Sequence, residues 1–442
     1  MAKPTRRGPS TPPVYPADFR LETLRGAPGN FRLGRTTAGV WWLLTPEDTP
    51  VLLRAVAGVN RHGRAGPPPP RPGAYAATVA SLYGGAAGND ATAWARSTAA
   101  RLHAWGVDTV GPWADAGLAD RGFYFTALAD FARAEVPLLQ GHGLRLPDVF
   151  DPRWPAAARA RAAAVTAEWS GRRELVGWFT DDSPGWGATD PGRVGLLQTC
   201  LSLEPSLAAH HAAWEFVLAA NGGTLESLGR AWGVALAHRE HVRQLTREER
   251  ALDGLAFAAD ARAFARELAR RYFSVAGQAL RAADPGRLVL GCRFDSPPPA
   301  GVIEVARSGE LDAISWRLRA GSAFSDQADA LAGELPQWVT GGGLGNGDFR
   351  KLPVRDGTGP TRLERLLRAS REGWFAACRD PRTLGIEWAH WADGGTDAPP
   401  FGAGLVHADD HEAVEHTELL AHVHARAQSL HLRSRDARRS SG

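Results

Sequence analysis

Residues 287–295 read Arg-Leu-Val-Leu-Gly-Cys-Arg-Phe-Asp, a nearly continuous apolar run that ends in charged residues. Such a run is typical of a strand buried on both faces, as strands are in a parallel sheet. An Ala-rich helical pattern precedes it over 248–283, and a shorter one follows over 303–309. A buried strand between two helices predicts a repeating β/α architecture.

The same alternation recurs along the chain. Apolar runs predict strands at 51–60, 107–113, 136–142, 175–181, 287–295, 311–318, 335–341 and 383–391. Helical patterns are found near 92–105, 122–134, 155–169, 248–283, 303–309, 323–333, 360–379 and 410–431. Closure into an α/β fold of the (β/α)8 TIM-barrel type is the economical arrangement of these elements.

The chain is predicted to divide into four segments, with a small N-terminal β extension ahead of the barrel. In that extension, Phe31-Arg-Leu and Val40-Trp-Trp-Leu-Leu indicate two strands around a turn. The predicted segments are a disordered tail (1–17), the β extension (18–50), the barrel (51–431) and a basic tail (432–442).

Two long insertions, 61–88 and 184–246, leave the carboxyl ends of predicted strands. Barrels build their binding sites at these ends, so we expect the insertions to be functional. The alternative is that they only decorate the solvent side.

Composition and charge exclude several classes of protein. The 442 residues carry 51 Lys and Arg against 48 Asp and Glu, and this near-balance argues against a nucleic-acid binder. No apolar run of about 18 residues is present, so no membrane span is predicted. The first residues contain no apolar signal segment, and we expect a cytoplasmic protein. Three scattered cysteines predict neither disulfides nor a zinc site.

Chemistry in an eight-stranded barrel is expected from the residues that end its strands. Aromatic rings beside charged groups suit a saccharide, whose C–H faces pack on rings while its hydroxyls form hydrogen bonds. The alternative is that buried strands are simply aromatic. The predicted ligand-binding residues are Asn60, Trp113, His142, Arg293, Trp316, Arg317, Trp388, His390 and Trp391.

Other signals predict no cofactor and no metal. The Gly-rich stretch 341–347 is not a dinucleotide fingerprint, and a flexible loop is the simpler interpretation. Six of the 14 histidines lie between His407 and His431, without HExxH spacing. We interpret them as a solvated helix face.

Five short motifs, in order along the chain, resemble those of β-agarase-like glycoside hydrolases. They are Gly39–Glu47 followed by Gly58-Val-Asn60, Leu102–Trp113, Pro147–Pro152, Leu225–Gly233 and Asp284–Phe294. The resemblance implies a TIM barrel that hydrolyses β-galactosidic links in agar-type polysaccharides with a pair of Glu residues.

The sequence departs from this pattern where the resemblance implies the two catalytic Glu residues. Gly177-Trp-Phe-Thr-Asp-Asp-Ser183 places Ser183 at the acid/base position, and Pro336-Gln-Trp-Val-Thr-Gly341 places Gly341 at the nucleophile position. Serine is no carboxylic acid, and glycine offers no nucleophile.

Three functions stay open. The first is binding of a saccharide or another small polar ligand without the two-Glu hydrolysis. The second is an active glycosidase with relocated carboxylates, Asp181 or Asp182 with Glu387. Since neighbouring strand residues point to opposite faces, only one of the two aspartates can face the cavity. Glu387 could instead pair with Arg293 or Arg317. The third is a structural or interaction barrel; no oligomeric state is predicted.

Overall fold

A closed eight-stranded parallel barrel is the core of the molecule. The computed structural model describes residues 18–66, 71–84, 91–318, 323–341, 362–393 and 403–437. The barrel strands are β4 (Leu53–Val56), β5 (Thr109–Val110), β6 (Tyr124–Leu128), β9 (Leu175–Asp182), β11 (Leu288–Phe294), β12 (Ile314–Arg317), β13 (Gln337–Gly341) and β14 (Thr383–Trp388). Strand β14 pairs in parallel with β4 and closes the barrel. The predicted (β/α)8 TIM barrel is confirmed.

Helices surround the barrel and occupy its insertions. In the described residues they are α1 (Ala74–Tyr83), α2 (Ala91–Ala104), α3 (Trp154–Ala167), α4 (Leu196–Ser202), α5 (Ala208–Ala220), α6 (Leu225–Trp232), α7 (Glu240–Arg247), α8 (Leu255–Ala283), α9 (Ala300–Ala306), α10 (Phe324–Leu331), α11 (Arg362–Arg379) and α12 (Val414–Ala437). The longest, α8, buries Phe264, Leu268 and Tyr272 at helical spacing. None of the helices in these segments is long and apolar enough to cross a membrane.

The N-terminal extension covers one end of the barrel. Strands β1 (Arg32–Arg35), β2 (Trp41–Leu44) and β3 (Pro50–Val51) form an antiparallel sheet, which adds a third strand to the two predicted. Its side chains form one apolar cluster with residues of the barrel strands, including Val176 and Trp338. Because this sheet fills the amino end, we expect a ligand site at the carboxyl ends of the strands, which we call the mouth.

The third barrel strand was predicted in the wrong place. It is β6, inside the segment 122–134 that was predicted as a helix. Residues 136–142 belong instead to a small antiparallel sheet of β7 (Leu138–Gly141), β8 (Leu144–Pro147) and β10 (Gly185–Trp186). Strand β10 directly follows β9, so this sheet lies on the mouth side. The run Tyr-Phe-Thr in β6 carries strand formers that outweigh the helical spacing of its neighbours.

The last helix, α12, extends to Ala437, beyond residue 431, where the barrel was predicted to end. The predicted solvated histidine face is wrong for His416, His424 and His431, which are buried. The Nδ1 atom of His424 lies 3.0 Å from the Trp105 carbonyl oxygen, and His431 Nε2 lies 2.9 Å from the Trp41 carbonyl oxygen. Burial lowers the pKa of all three histidines. They act as neutral hydrogen-bonding groups that fasten α12 to the barrel.

The tryptophans are mostly scaffold. Fourteen of the 16 have side chains in the buried core, and only Trp113 and Trp169 are partly exposed. Trp169 packs against Phe125, near the start of β6 and thus at the amino end of the barrel. Trp113 is therefore the one tryptophan whose side chain is partly exposed at the mouth.

Candidate functional site

Arg293, at the end of β11, is the central residue of the mouth. Its side chain is 4% exposed. Its Nε atom lies 3.3 Å from the Oδ1 atom of Asp182 on β9, and its terminal nitrogen contacts the carboxylate of Glu387 on β14. The guanidinium carbon lies 5.8 Å from the centre of the Trp113 ring. Arg293 thus joins three barrel strands and the loop after β5.

Glu387 is fully buried, with 0% exposure. Burial raises the pKa of its carboxyl group, and the Arg293 guanidinium opposes that rise. Gly111 leaves room for this carboxylate, because a Cβ atom there would lie 2.6 Å from Glu387 Oε2. The predicted alternative, in which Glu387 pairs with Arg293, is confirmed. The carboxylate of Glu387, which was predicted as a catalytic group, does not reach the surface of the mouth in this structure.

Asp181 and Asp182 point to opposite sides of β9, as the strand geometry predicts. Asp181 is buried behind the sheet, where its Oδ1 atom accepts a hydrogen bond of 2.9 Å from the Ala132 N–H. Its Oδ2 atom accepts a hydrogen bond from the Tyr272 hydroxyl group. Burial raises the pKa of Asp181 to about 7. The candidate catalytic assignment of Asp181 is therefore corrected, whereas the side chain of Asp182 is 20% exposed at the mouth.

The two positions where the resemblance implies Glu differ in exposure. Ser183 is exposed and has a left-handed backbone with φ of 50°. Its N–H donates a hydrogen bond of 2.9 Å to the Arg293 carbonyl oxygen. Gly341 is buried at the end of β13, and a Cβ atom there would lie 3.2 Å from the Leu318 Cβ. Neither position supplies a carboxylate to the mouth.

Trp113 forms a partly exposed wall of the mouth and has a left-handed backbone with φ of 64°. The Asn60 amide group donates hydrogen bonds of 2.8 Å to the Trp113 carbonyl and 2.9 Å to the Arg64 carbonyl. Its oxygen accepts the His62 N–H at 2.9 Å. Asn60 was predicted as a ligand-binding residue. Its side chain is buried and bonded to backbone groups, so its role is to position Trp113.

Two further predicted residues lie at the described part of the rim of the mouth. Arg317 pairs with Asp295 at 2.9 Å. His390 is partly exposed, and its pKa is lowered to about 4 by burial and by the nearby charges of Arg317 and Arg293. His390 is therefore neutral at physiological pH and can donate or accept a hydrogen bond.

Three tryptophans predicted for the mouth lie in the core instead. The Trp316 N–H donates to the Gln337 side chain, that of Trp388 to a backbone carbonyl, and that of Trp391 to the Tyr75 hydroxyl. Each ring is at most 1% exposed. The prediction was wrong because successive side chains alternate between the two faces of a strand, and the sequence does not say which face is inside.

His142 is not at the end of a barrel strand. It lies in the turn between β7 and β8, where its Nδ1 atom is 3.4 Å from the Glu249 carboxylate. This correction follows from the misplaced third strand. Asp130, two residues after the end of β6, is an acidic residue that the sequence prediction missed. Burial raises the pKa of Asp130, and the charges of Arg161 and Arg133 oppose that rise. The strand formers of β6, followed by an acid, were the available signal.

A hydrogen-bonded node joins the insertion after β4 to the loop after β14. The Tyr75 hydroxyl of α1 accepts the Trp391 N–H at 2.8 Å and donates to Asp410 at 3.1 Å. The Tyr83 hydroxyl donates to Asp410 at 2.8 Å, and Arg101 binds the same carboxylate at 2.9 Å. The first insertion is thus fixed beside the last barrel strand.

No group of three or more His, Cys, Asp or Glu residues is arranged to hold a metal ion in the described segments. The Gly-rich stretch after Gly341, at 342–347, lies outside the described residues.

No family model matches the chain. It is similar in sequence to two β-agarases of Vibrio sp. (strain JT0107). Beta-agarase A is 28% identical over 256 residues, which are 54% of this chain and 25% of that protein. Beta-agarase B is 25% identical over 258 residues, which are 56% of this chain and 26% of that protein. The aligned region thus spans about a quarter of the length of these curated relatives.

Solved structures share the fold over nearly the whole chain. The structure of PfGH50B superposes with a TM-score of 0.72 at 17% identity, covering 92% of this chain and 67% of that one. The agarase AgWH50C gives 0.70 at 20% identity, covering 93% and 66%. The predicted resemblance to β-agarase-like TIM barrels is confirmed in both sequence and fold.

Proposed function

We propose that this agarase-like barrel binds a saccharide of the agar type at its mouth and does not cleave it by the two-Glu retaining route. One observation carries the proposal. Of the candidate carboxylates Asp181, Asp182 and Glu387, only that of Asp182 is exposed at the mouth.

Retaining hydrolysis needs two carboxyl groups about 5–5.5 Å apart, on either side of the scissile bond. Ser183 and Gly341 stand where the resemblance implies this pair. Glu387 does not replace either of them, since it is buried against Arg293. Of the three predicted carboxylates, Asp182 alone is exposed at the mouth, and one carboxylate can accept hydrogen bonds from sugar hydroxyls but cannot carry out a double displacement by itself.

The features that favour a saccharide are the exposed part of the Trp113 ring and the polar groups around it. An aromatic face offers a platform for the C–H face of a sugar, and a few convergent polar groups fix its orientation. Asp182 accepts hydrogen bonds, Arg317 donates them, and neutral His390 does either. This combination suits a neutral polyhydroxylated ligand.

Binding is tested by titration calorimetry with a neutral agaro-oligosaccharide tetramer. We expect Trp113→Ala to weaken binding by at least about tenfold, because it removes the aromatic platform. Trp169→Ala is the matched control, since it removes the other partly exposed tryptophan at the opposite end of the barrel. If the wild-type protein binds no saccharide, the proposal is wrong and a structural or interaction barrel is favoured.

Hydrolysis by relocated carboxylates is the second candidate, and the partly exposed carboxylate of Asp182 at the mouth is the observation in its favour. Prolonged incubation with the tetramer, followed by chromatography of the products, measures cleavage directly. The proposal expects no products. Cleavage that is lost in Asp182→Asn and kept in Glu387→Gln would assign catalysis to Asp182 with a partner other than Glu387. Loss in Glu387→Gln with the fold intact would restore the predicted Asp182–Glu387 pair.

A further inference from the structure

Asp181 is a buried acid without a cationic partner. It is 2% exposed, and no Lys, Arg or His of the described residues forms an ion pair with it. The carboxylates of Asp182 and Asp130 lie near enough to act on its charge, and both oppose its ionisation. Buried charges are normally paired. A carboxyl group in these surroundings therefore holds its proton more tightly than one in water.

The hydrogen bonds around Asp181 suit both of its protonation states. The Tyr272 hydroxyl of α8 contacts Asp181 Oδ2 on one side and lies 3.0 Å from the Thr180 hydroxyl oxygen on the other. When Asp181 is ionised, Tyr272 donates to the carboxylate and Thr180 can donate to Tyr272. When Asp181 is protonated, its O–H donates to Tyr272, which in turn donates to Thr180. The direction of the hydrogen bonds reverses while the heavy atoms keep their positions, so the proton can be taken up without rearrangement of the core.

The loop after β6, residues 129–134, is bonded to the same acid. It contains the short 3-10 helix Phe131–Arg133, and its Ala132 N–H donates a hydrogen bond of 2.9 Å to Asp181 Oδ1. The buried Phe131 ring packs edge to face on Trp154, which in turn stacks on Tyr272. The hydrogen bond to Asp181 is thus one of the contacts that hold the loop against β9. Beyond it the chain leads into β7 of the small sheet at the mouth.

We infer that Asp181 is a pH-sensitive switch for the loop 129–134: the protonated acid keeps the loop packed on β9, and loss of the proton favours its opening. An ionised carboxylate in a closed core lacks water, and opening of the loop supplies it. Burial raises the pKa of Asp181 from 3.8 to about 7, so the change takes place between these two values. Because the loop leads into β7, its opening frees the sheet at the mouth from one of its anchors. The inference goes beyond the proposed function, since it holds whether or not a saccharide binds.

Hydrogen exchange of the Ala132 amide measures how often the loop opens. The protection factor, from which the intrinsic pH dependence of exchange is removed, should fall roughly 30- to 100-fold between about pH 5 and about pH 8 in the wild-type protein. Most of the fall should occur below about pH 7, because above that value the acid is ionised in the closed state too. Asp181→Asn keeps the size of the side chain and cannot ionise. Its protection factor should stay constant within about threefold over the same interval.

Asp130→Asn is the matched control, since it neutralises the acid that precedes the 3-10 helix and leaves Asp181 unchanged. We expect it to keep the pH dependence of the wild type. Tyr272→Phe is the second variant, and it carries the test if Asp181→Asn does not fold. It removes the hydroxyl group that donates to the ionised carboxylate, so the pH at which protection levels off should rise by about one unit. A merely structural role of Tyr272 would lower protection at every pH without moving that value. The same pH dependence in the wild type and Asp181→Asn, its loss in Asp130→Asn alone, or no shift in Tyr272→Phe overturns the inference.

Infrared difference spectra between about pH 5 and about pH 8 detect the proton itself, because a protonated carboxyl group has a C=O stretching band that a carboxylate lacks. The wild-type protein should show such a band that disappears near pH 7 and that is missing from the spectra of Asp181→Asn. A band without a difference in loop protection would mean that the acid holds a proton but does not control the loop, and the inference would be wrong. Neither measurement needs a ligand, so the inference and the proposed function can fail independently.

Discussion

Protonation of His424 is expected to destabilise the fold below neutral pH. The side chain is 2% exposed, and its Nδ1 atom lies 3.0 Å from the Trp105 carbonyl oxygen. Burial, helped by the positive charge of Arg54, lowers its pKa from 6.5 to about 3. The unfolded chain therefore takes up a proton near pH 6.5, while the folded chain does not until about pH 3. Stability from this group is complete above the unfolded pKa and is lost as the pH falls towards the folded one.

The magnitude follows from the two pKa values. Between about pH 7 and about pH 5, the linkage relation gives a loss of roughly 2 kcal/mol from this histidine alone. His424→Asn removes the titrating group but keeps an N–H donor at the position of Nδ1. The difference in unfolding free energy between the two proteins should therefore change by about 2 kcal/mol over this interval, in favour of the variant at the lower pH.

The assay is urea unfolding followed by tryptophan fluorescence, with wild type and variant measured in parallel at both pH values. Subtracting the two proteins cancels the groups that they share. The midpoint of the variant should move less than that of the wild type on acidification. The reasoning is wrong if the difference between them stays constant within about 0.5 kcal/mol, because His424 would then titrate alike in both states.

Three further changes probe the other buried groups. Asp181 acts with the opposite sign: its pKa is raised from 3.8 to about 7, so its stabilisation is full below the unfolded pKa and is lost as the pH rises through the folded one. Relative to Asp181→Asn, the wild type should lose roughly 2–3 kcal/mol between about pH 5 and about pH 8, measured by urea unfolding, and parallel curves would contradict this. Gly111→Ala should lower the free energy of unfolding by about 1–3 kcal/mol, because its Cβ would lie 2.6 Å from the Glu387 carboxylate. Gly73→Ala is the control, since nothing lies within 4 Å of a Cβ there, and its melting temperature should be nearly that of the wild type. Asp410→Ala should lower the free energy of unfolding by about 3–5 kcal/mol and speed hydrogen exchange in α1, since it removes a carboxylate that is 5% exposed and paired with Arg101. Asp409→Ala, at an exposed side chain, is the control. An equal effect of both changes would show that the contacts of Asp410 contribute no stability.

The barrel was predictable from the sequence because its strands are buried on both faces. The continuous apolar runs 175–181 and 287–295 nearly coincide with β9 and β11. Such runs are long and are separated by clear helical patterns. Strand β6 was missed because it has five residues and its flanks share the spacing of a helix. Short strands are held by their neighbours in the sheet more than by their own composition.

The site was predictable in its residue types but not in its directions. Arg293, Asp182 and Trp113 meet at the mouth, as their positions after predicted strands indicated. Trp316 and Trp388, predicted from the same argument, face the core. Successive side chains of a strand point to opposite faces of the sheet. The register of the strand in the barrel therefore decides whether a given side chain faces the interior of the barrel or the surrounding helices. That choice depends on barrel closure, which no local pattern encodes.

The node at Asp410 has a consequence for how the chain reaches its native state. Strands β4 and β14 are neighbours in the barrel but lie at opposite ends of it in sequence, and the Tyr75–Asp410 contact spans 335 residues. A contact between such distant residues adds no stability until a very large loop has closed. The entropy lost in that closure slows folding, and the contact forms late. The hydrogen bonds and the ion pair of Asp410 therefore form after the step that costs most conformational entropy. They lower the rate of unfolding more than they raise the rate of folding.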